Sequence, residues 1–392
     1  MGTVILFIIV LGILVFVHEF GHFIAARKTG MKVYEFALGF PPMIVGVYKD
    51  PKTGKFVWVW PKKKKTDGKI AKVAGGEEFE QEYPATLYSL NLLPLGGFCK
   101  IKGENGEDAK ESDSFGYQKT WKKLVVLVAG VTMNFLLAAV VLGIGFMIGL
   151  PTDVSQGVPD GATLIGEPAV VIQQVEKDSA AEEVGLQMGD KILSIDGAQA
   201  NSVSEMIAYI KSVGEEPITI VAQRGEEVNT LSVAPKIPEG ADAPRLGVYM
   251  ADAAIVQYPW YQSIWKGFVG AAISLINIFI GFFLLIKGLI LGQGLIFDVA
   301  GPVGIATMVG DSARLGINYL LNITAMISLS LAAINILPIP ALDGGRALFV
   351  IIEAIFKKPV PLKYEQAAHT IGFLLLMVLI VVVTARDIMG LF

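Results

Sequence analysis

Residues 3–26 read TVILFIIVLGILVFVHEFGHFIAA, a run that is apolar or glycine except at Thr3, His18, Glu19 and His22. At 1.5 Å per residue a helix of this length spans the roughly 30 Å hydrocarbon core of a bilayer. Met1, Gly2 and Thr3 carry no positive charge, and the run exceeds an ordinary signal core, so the expectation is a retained membrane helix, not a cleaved leader. Composition agrees. Of 392 residues 53% are hydrophobic and 17% charged, with mean hydropathy +0.58, where soluble chains carry about a quarter charged residues. The net charge of -4 gives no reason to expect nucleic-acid binding. Cys99 is the single cysteine, which excludes an intrachain disulfide and a structural zinc site of the cysteine type.

Only 3 histidines are present, and two fall in His18-Glu19-Phe20-Gly21-His22, an HExxH pattern. On a helix, residues four apart share a face, so both imidazoles can reach one metal ion. Glu19, between them, is placed to take a proton from an attacking water. Two imidazole nitrogens and one carboxylate suit zinc and leave a fourth position open. The competing reading is a polar packing cluster, but ionisable residues at membrane depth are costly and are functional by default. The carboxylate must come from elsewhere. Residues 335–345 read NILPIPALDGG at the end of a later apolar run, and Asp343 is the one acidic residue there. Its prolines cannot continue a regular helix and its glycines permit close backbone approach. At membrane depth such a break is tolerated only where it lines a cavity or packs in protein. The bland alternative for Asp343 is a helix cap.

Outward from these motifs the chain divides into 1–27, transmembrane helix 1; 28–116, a cytoplasmic-side region; 117–151, transmembrane helix 2; 152–250, a soluble domain; 251–313, an interfacial or re-entrant segment; 314–356, transmembrane helix 3 with the LDGG motif; and 357–392, a cytoplasmic connection with transmembrane helix 4. Lys28, Lys32, the run Lys62, Lys63, Lys64 and Lys65, and Lys119, Lys122 and Lys123 place the second segment in the cytoplasm by the positive-inside rule. The run of four also reads as a solvated loop tip. Residues 185–197, GLQMGDKILSIDG, resemble the GLxxGDxI signature of bacterial PDZ domains, in one copy. Residues 265–291 are apolar enough to cross. A full crossing, however, would put Asp343 at the wrong face for His18 and His22, so four crossings and one membrane-associated segment are expected. Lys357, Lys358 and Lys363 on the inner side agree with that parity.

The two motifs together resemble the site-2 protease family, intramembrane zinc metalloproteases with HExxH in one span and LDG in another. Further blocks follow in family order: residues 37–42 (ALGFPP, with Pro41 in place of a glycine), 93–100 (LPLGGFCK), 129–135 (AGVTMNF, with Val131 in place of a proline) and 301–306 (GPVGIA). The resemblance implies Zn2+ as cofactor, His18, His22 and Asp343 as its ligands, and Glu19 as general base. It implies a polytopic α-helical protein of the bacterial inner (cytoplasmic) membrane, with an inserted α+β PDZ domain on the extracytoplasmic side. Its partners are the lipid bilayer and single-span membrane protein substrates such as anti-sigma factors or remnant signal peptides. A substrate held extended in lipid needs backbone partners, which an added-strand mode supplies. Residues 40–47 and 95–101 are therefore candidates for a membrane-associated β-hairpin or sheet, with Gly96 and Gly97 as substrate-binding positions; an ordinary cytoplasmic loop fold is the alternative. Asn335 is a candidate contact to the substrate backbone, set against plain interhelical hydrogen bonding. His369 reads as an interfacial residue and Cys99 as packing. The PDZ domain either recruits a C-terminal tail through the loop at 167–170 or acts as a steric filter. Two other functions compete: a membrane zinc transporter and a non-catalytic PDZ scaffold. Transport favours ligands along a path and has no use for Glu19; a scaffold leaves both motifs unexplained.

Overall fold

The computed structural model of the chain describes residues 2–61, 83–104, 110–155, 157–176, 179–225, 227–238, 243–292 and 300–389. Lys62, Lys63, Lys64 and Lys65 lie outside the described residues. Helix α1 (Gly2–Lys28) has Arg27 and Lys28 in its last turn, where positive charge suits the helix dipole, and Gly30 at φ +86° follows its end. Strands β1 (Val33–Lys49), β2 (Phe56–Val59) and β3 (Leu87–Ile101) form an antiparallel sheet in the order β2-β1-β3, and helix α2 (Thr120–Ile148) follows. Both long strands bend. Gly39 is at φ +86°, and the buried Asn91 donates from Nδ2 to its carbonyl at 3.0 Å. In consequence Ser89 pairs with Ala37 in one half of β1 and with Gly46 in the other. The second half of β3 pairs only with the first half of β1, through Ala37–Phe98 and Leu38–Gly97, so among the described residues its other side carries no strand. The expected short strands are thus parts of longer, folded-over ones. Phe16, Phe20 and Phe23 of α1 pack on Phe36 of β1 with ring centroids 5.3–6.4 Å apart. Ala26, Met31, Val33, Ile101, Val126 and Leu127 complete that core. Below it, Lys102 pairs with Glu111 and with Asp113 at 2.9 Å, and the two carboxylates hold its ammonium above the usual lysine range.

Residues 139–270 and 311–323 form a second compact unit. Its strands are β4 (Leu150–Asp153), β5 (Thr163–Val175), β6 (Lys191–Ile195), β7 (Ala198–Gln199), β8 (Ile218–Arg224), β9 (Glu227–Val233) and β10 (Val248–Gln257). They run in the order β4-β10-β5-β6-β8-β9, with β7 on β6. Helices α3 (Ala180–Glu183) and α4 (Val203–Val213) complete the domain, capped by the Ser179 and Ser202 hydroxyls. Ile172, Ile192, Met206, Ile218 and Ile220 fill its core. The signature aspartate, Asp190, is 1% exposed and is gripped by Arg224 Nε and Nη2 at 2.7 and 2.8 Å. Pairing with Asp190 keeps that guanidinium above its usual range. Two expectations change here. The sheet continues past 250 to Gln257. Residues 167–170 are not a loop: Val170 pairs with Asp252 on one side and Ile192 on the other, because Ala169 and Val170 are buried. Next to this pairing, Asp252 of β10 accepts the first N–H of α4, from Val203, at 2.8 Å on its side chain, and the Val154 N–H at 2.8 Å on its carbonyl.

Helix α5 (Trp260–Ile290) is unbroken over 31 residues, so 265–291 contains no re-entrant turn. Its start crosses α2 where Gly267 meets Ala139 and Gly143; a Cβ on Gly267 would lie 2.5 Å from the Ala139 carbonyl oxygen. Trp260, Tyr261 and Trp265 stand exposed there, the residue types that mark membrane interfaces.

The first unit, residues 1–138, 271–310 and 324–392, takes in all or part of four further helices. These are α6 (Pro302–Leu315), α7 (Ile317–Ile336), α8 (Asp343–Phe356) and α9 (Leu362–Met389). Asp387 near the end of α9 accepts the N–H groups of Gly301 and Gly304 at 3.2 and 2.7 Å, capping α6. Gly310 further along α6 lies against Thr3 at the start of α1. Among the described residues five helices, α1, α2, α5, α7 and α9, are long and apolar enough to cross a membrane. The chain is a multi-pass membrane protein with a PDZ domain inserted after its second helix.

Candidate metal centre

His18 and His22 are adjacent turns of α1, each 8% exposed, and Asp343 reaches them from the first turn of α8. Asp343 Oδ2 lies 3.1 Å from His18 Nε2 and 3.2 Å from His22 Nε2, and the two Nε2 atoms are 3.2 Å apart. Ligands about 2.0–2.1 Å from a tetrahedral zinc stand about 3.3 Å from each other. The three atoms therefore already form one face of a zinc tetrahedron, and the residues present fit the ion. Among the described residues this is the one such cluster of histidine, cysteine and carboxylate groups. Asp343 is not a cap: Leu342 holds the N-cap position of α8 without a side-chain bond.

The surroundings fix both rings. His22 Nδ1–H donates to the Val126 carbonyl at 2.8 Å, which leaves Nε2 free for metal. His18 Nδ1 lies 3.3 Å from the side-chain amide of Asn134, which is fully buried on α2. For Nε2 to ligate, Nδ1 must carry the proton and face an acceptor. With the amide nitrogen turned to His18, Asn134 Oδ1 has no partner among the described residues; turning the amide over gives that oxygen the Nδ1 proton. Asn134 is itself anchored, since Ser328 of α7 donates to its carbonyl at 2.8 Å.

Two glycines admit this arrangement. A Cβ on Gly130 would collide with His22 Nε2 and lie 2.8 Å from His18 Nε2, so α2 presents bare backbone to the imidazoles. A Cβ on Gly21 would lie 2.5 Å from the Ala129 carbonyl oxygen, so α1 and α2 approach closely at the same level. The turn before Asp343 is equally tight: side chains at Gly344 or Gly345 would strike the carbonyls of Ile336, Leu337 and Ile339. Gly97 of β3 lies beside the remaining group, with Glu19 Cγ 3.5 Å from where its Cβ would stand. The half of β3 that pairs on one side only thus comes close to Glu19 at Gly97. Gly96, at φ +145°, forms the bend before it, against the Phe40 ring. Asn335 is half-buried in the last turn of α7, ahead of the turn that carries Asp343.

Residues 6–57 and 68–379 match the model of peptidase family M50. The chain belongs to this family. A Clostridium perfringens protein provisionally named a zinc metalloprotease is 33% identical over 96% of this chain and 95% of its own length. The regulator of sigma-W protease RasP of Bacillus subtilis is 30% identical over 100% and 99%, and the zinc metalloprotease RasP of Bacillus licheniformis 31% over the full length of both. The solved PDZ domain of the SdrC-like protein from Listeria monocytogenes is 25% identical over 23% of this chain and 95% of that one, with TM-score 0.21. As an M50 member the chain is an intramembrane zinc metalloprotease, and the transporter and scaffold readings fall away. The structure brings His18, His22 and Asp343 together; Asn134 stood in the sequence analysis only as part of the block 129–135, with no task. Gly130, in the same block, likewise had no task, and α2 holds Gly143 and Gly145 as well, so a glycine in that helix was no distinctive signal.

Proposed function

We propose that in this M50 protease His18, His22 and Asp343 hold the zinc, that Glu19 is the general base, and that the substrates are single-span membrane proteins. The observation that carries this is the 3.1–3.2 Å triangle of ligand atoms lying next to Glu19 and an unpaired strand edge. Zinc, when bound, acidifies water towards neutrality and polarises a carbonyl. Glu19 takes the proton of the attacking water and passes it to the leaving amine. The open side of β3 at Gly97 offers backbone partners to a substrate strand, replacing hydrogen bonds that an unwound helix loses in lipid. Asn335 supplies a further contact to that strand. The sigma-W in the name of the Bacillus subtilis relative favours anti-sigma factors as substrates, with signal-peptide remnants as the second class.

The site also argues for four crossings in the bacterial inner membrane. His18 lies about 22 Å along α1 from Thr3. Gly310 meets Thr3, and Gly301 meets the far end of α9, so the stretch 301–310 stands on the side away from the metal. Helix α7 then runs parallel to α1, as the meeting of Asp343 with His18 requires. From Gly292 to Ala300 the chain reaches at most about 29 Å. A crossing α5 would need this link to return through about 30 Å of hydrocarbon. Helix α5 is therefore membrane-associated on the extracytoplasmic side, which is also the side of the PDZ domain. That domain is a filter. What supports this is that its strands β4 and β10 follow α2 and precede α5 within a few residues, leaving no long tether.

The test is metal content and cleavage on one preparation. The parent should hold about one zinc per chain and cut a labelled single-span substrate. Asp343→Ala should lose both; a variant that keeps its zinc would remove Asp343 from the ligand set.

A further inference from the structure

Ala341 occupies the left-handed region at φ +79°, a conformation that residues with a Cβ rarely adopt, two residues before Asp343. Its N–H donates to His369 Nδ1 of α9 at 2.8 Å. The His369 ring rests on Phe349 of α8 with centroids 5.6 Å apart. One turn along α9, Gly372 lies so close to the Pro340 carbonyl that any side chain there would collide with it. Helix α9 therefore grips the turn between α7 and α8 at two successive residues, Pro340 and Ala341. From the other side, Gly344 and Gly345 press the start of α8 against the carbonyls of that turn.

We propose that His369 is a positioning residue for the metal centre: by accepting the Ala341 N–H it holds the strained turn that aims Asp343 at His18 and His22. The inference rests on the reading of Asp343 as a zinc ligand. Packing alone does not account for a histidine here. To accept at Nδ1 the ring must carry its proton on Nε2, and that atom is buried with no partner among the described residues. An apolar side chain would cover Phe349 without leaving a buried donor unpaired, so the bond to Ala341 is what offsets the cost. Within the turn the Leu342 N–H donates to the Ile339 carbonyl at 3.2 Å, which closes the chain round Ala341, and Leu342 adds no side-chain cap, so the bond to His369 is what ties this turn to α9. A carboxylate that must stay 3.1–3.2 Å from two imidazole nitrogens tolerates displacement of only about half an ångström.

The experiment measures zinc release from the full-length, detergent-purified protein into excess chelator for His369→Asn, His369→Gln and His369→Leu, with Asp343→Ala as control. Asparagine places its amide oxygen about where Nδ1 stands; glutamine is nearer in size but places its oxygen towards Nε2. Release should be about tenfold faster in the Gln and Leu variants, the low end of losses seen when partners of metal ligands are removed. The Asn variant should stay within about threefold of the parent. Parent-like release in all three, equal acceleration in all three, or retention by Gln with loss by Asn would each overturn the proposal. Should His369→Leu fail to fold, the contrast between Asn and Gln decides. Asp343→Ala separates the two readings: zinc retained there sinks the ligand assignment itself. Zinc lost there but held by all three His369 variants sinks only the positioning role.

Discussion

Glu19 follows His18 directly on α1, so its side chain leaves the helix at a different angle from both imidazoles, as the proposed role of base requires. Glu19→Gln keeps shape and hydrogen bonding but removes the basic carboxylate. Cleavage should fall by about 10²–10⁴-fold with zinc still bound, since positioned acid–base catalysis is worth that much. Near-parent cleavage by a zinc-loaded variant would dismiss Glu19 as the base. Asn134 acts one step further out. Asn134→Leu strips the acceptor from His18 Nδ1 and should weaken zinc binding by about 10–100-fold, read by competition with a chelator of known affinity. Unchanged affinity would mean that the contact is packing only. The pairing of His18 with His22 was legible in the sequence because four residues on one helix make a local spacing, whereas Asp343, 325 residues from His18, was assigned as a ligand only through the family resemblance. Asn134 and Gly130 were not legible, because what they do depends on how α1 and α2 meet, more than 100 residues apart, and no spacing rule encodes that contact.

The elements show the same division between local and non-local information. Each apolar helix was legible as such, since length and hydropathy are properties of a single segment. That β1 and β3 fold over and pair twice was not: it depends on Gly39, on the Asn91 bond to it and on the bend at Gly96, which act together only in the assembled sheet. The stretch 167–170 misled in the opposite way, because Pro168 beside Gly166 looks like a turn while Val170 is paired on both sides. For α5, hydropathy favours a crossing and the reach of the following link opposes it. Gly292→Cys, in a Cys99→Ala background, should react with a membrane-impermeant maleimide from the face that carries the PDZ domain. Labelling from the cytoplasmic face alone would restore α5 as a fifth crossing.

At the scale of the whole molecule, a protease site at membrane depth must be kept from intact membrane proteins, and the proposal gives that task to the PDZ domain. Its sheet begins at Leu150, directly after α2, and ends at Gln257, directly before α5. Short joints of this kind hold a folded body near the membrane surface; a recruiting module would work as well on a longer tether. Recruitment of a substrate segment by the same domain is the rival account. Replacing residues 150–257 by a short glycine-serine linker distinguishes the two, with the cut placed to take the complete sheet because a boundary at 250 would strand half of β10. If the domain filters, the shortened enzyme should still bind zinc, should cut trimmed substrates at close to the parent rate, and should now also cut single-span substrates that keep a large outer domain. The measurement is fragment yield from the paired substrates on one zinc-assayed preparation. Loss of cleavage of the trimmed substrate, with zinc intact, would show that the domain delivers substrate instead of excluding it.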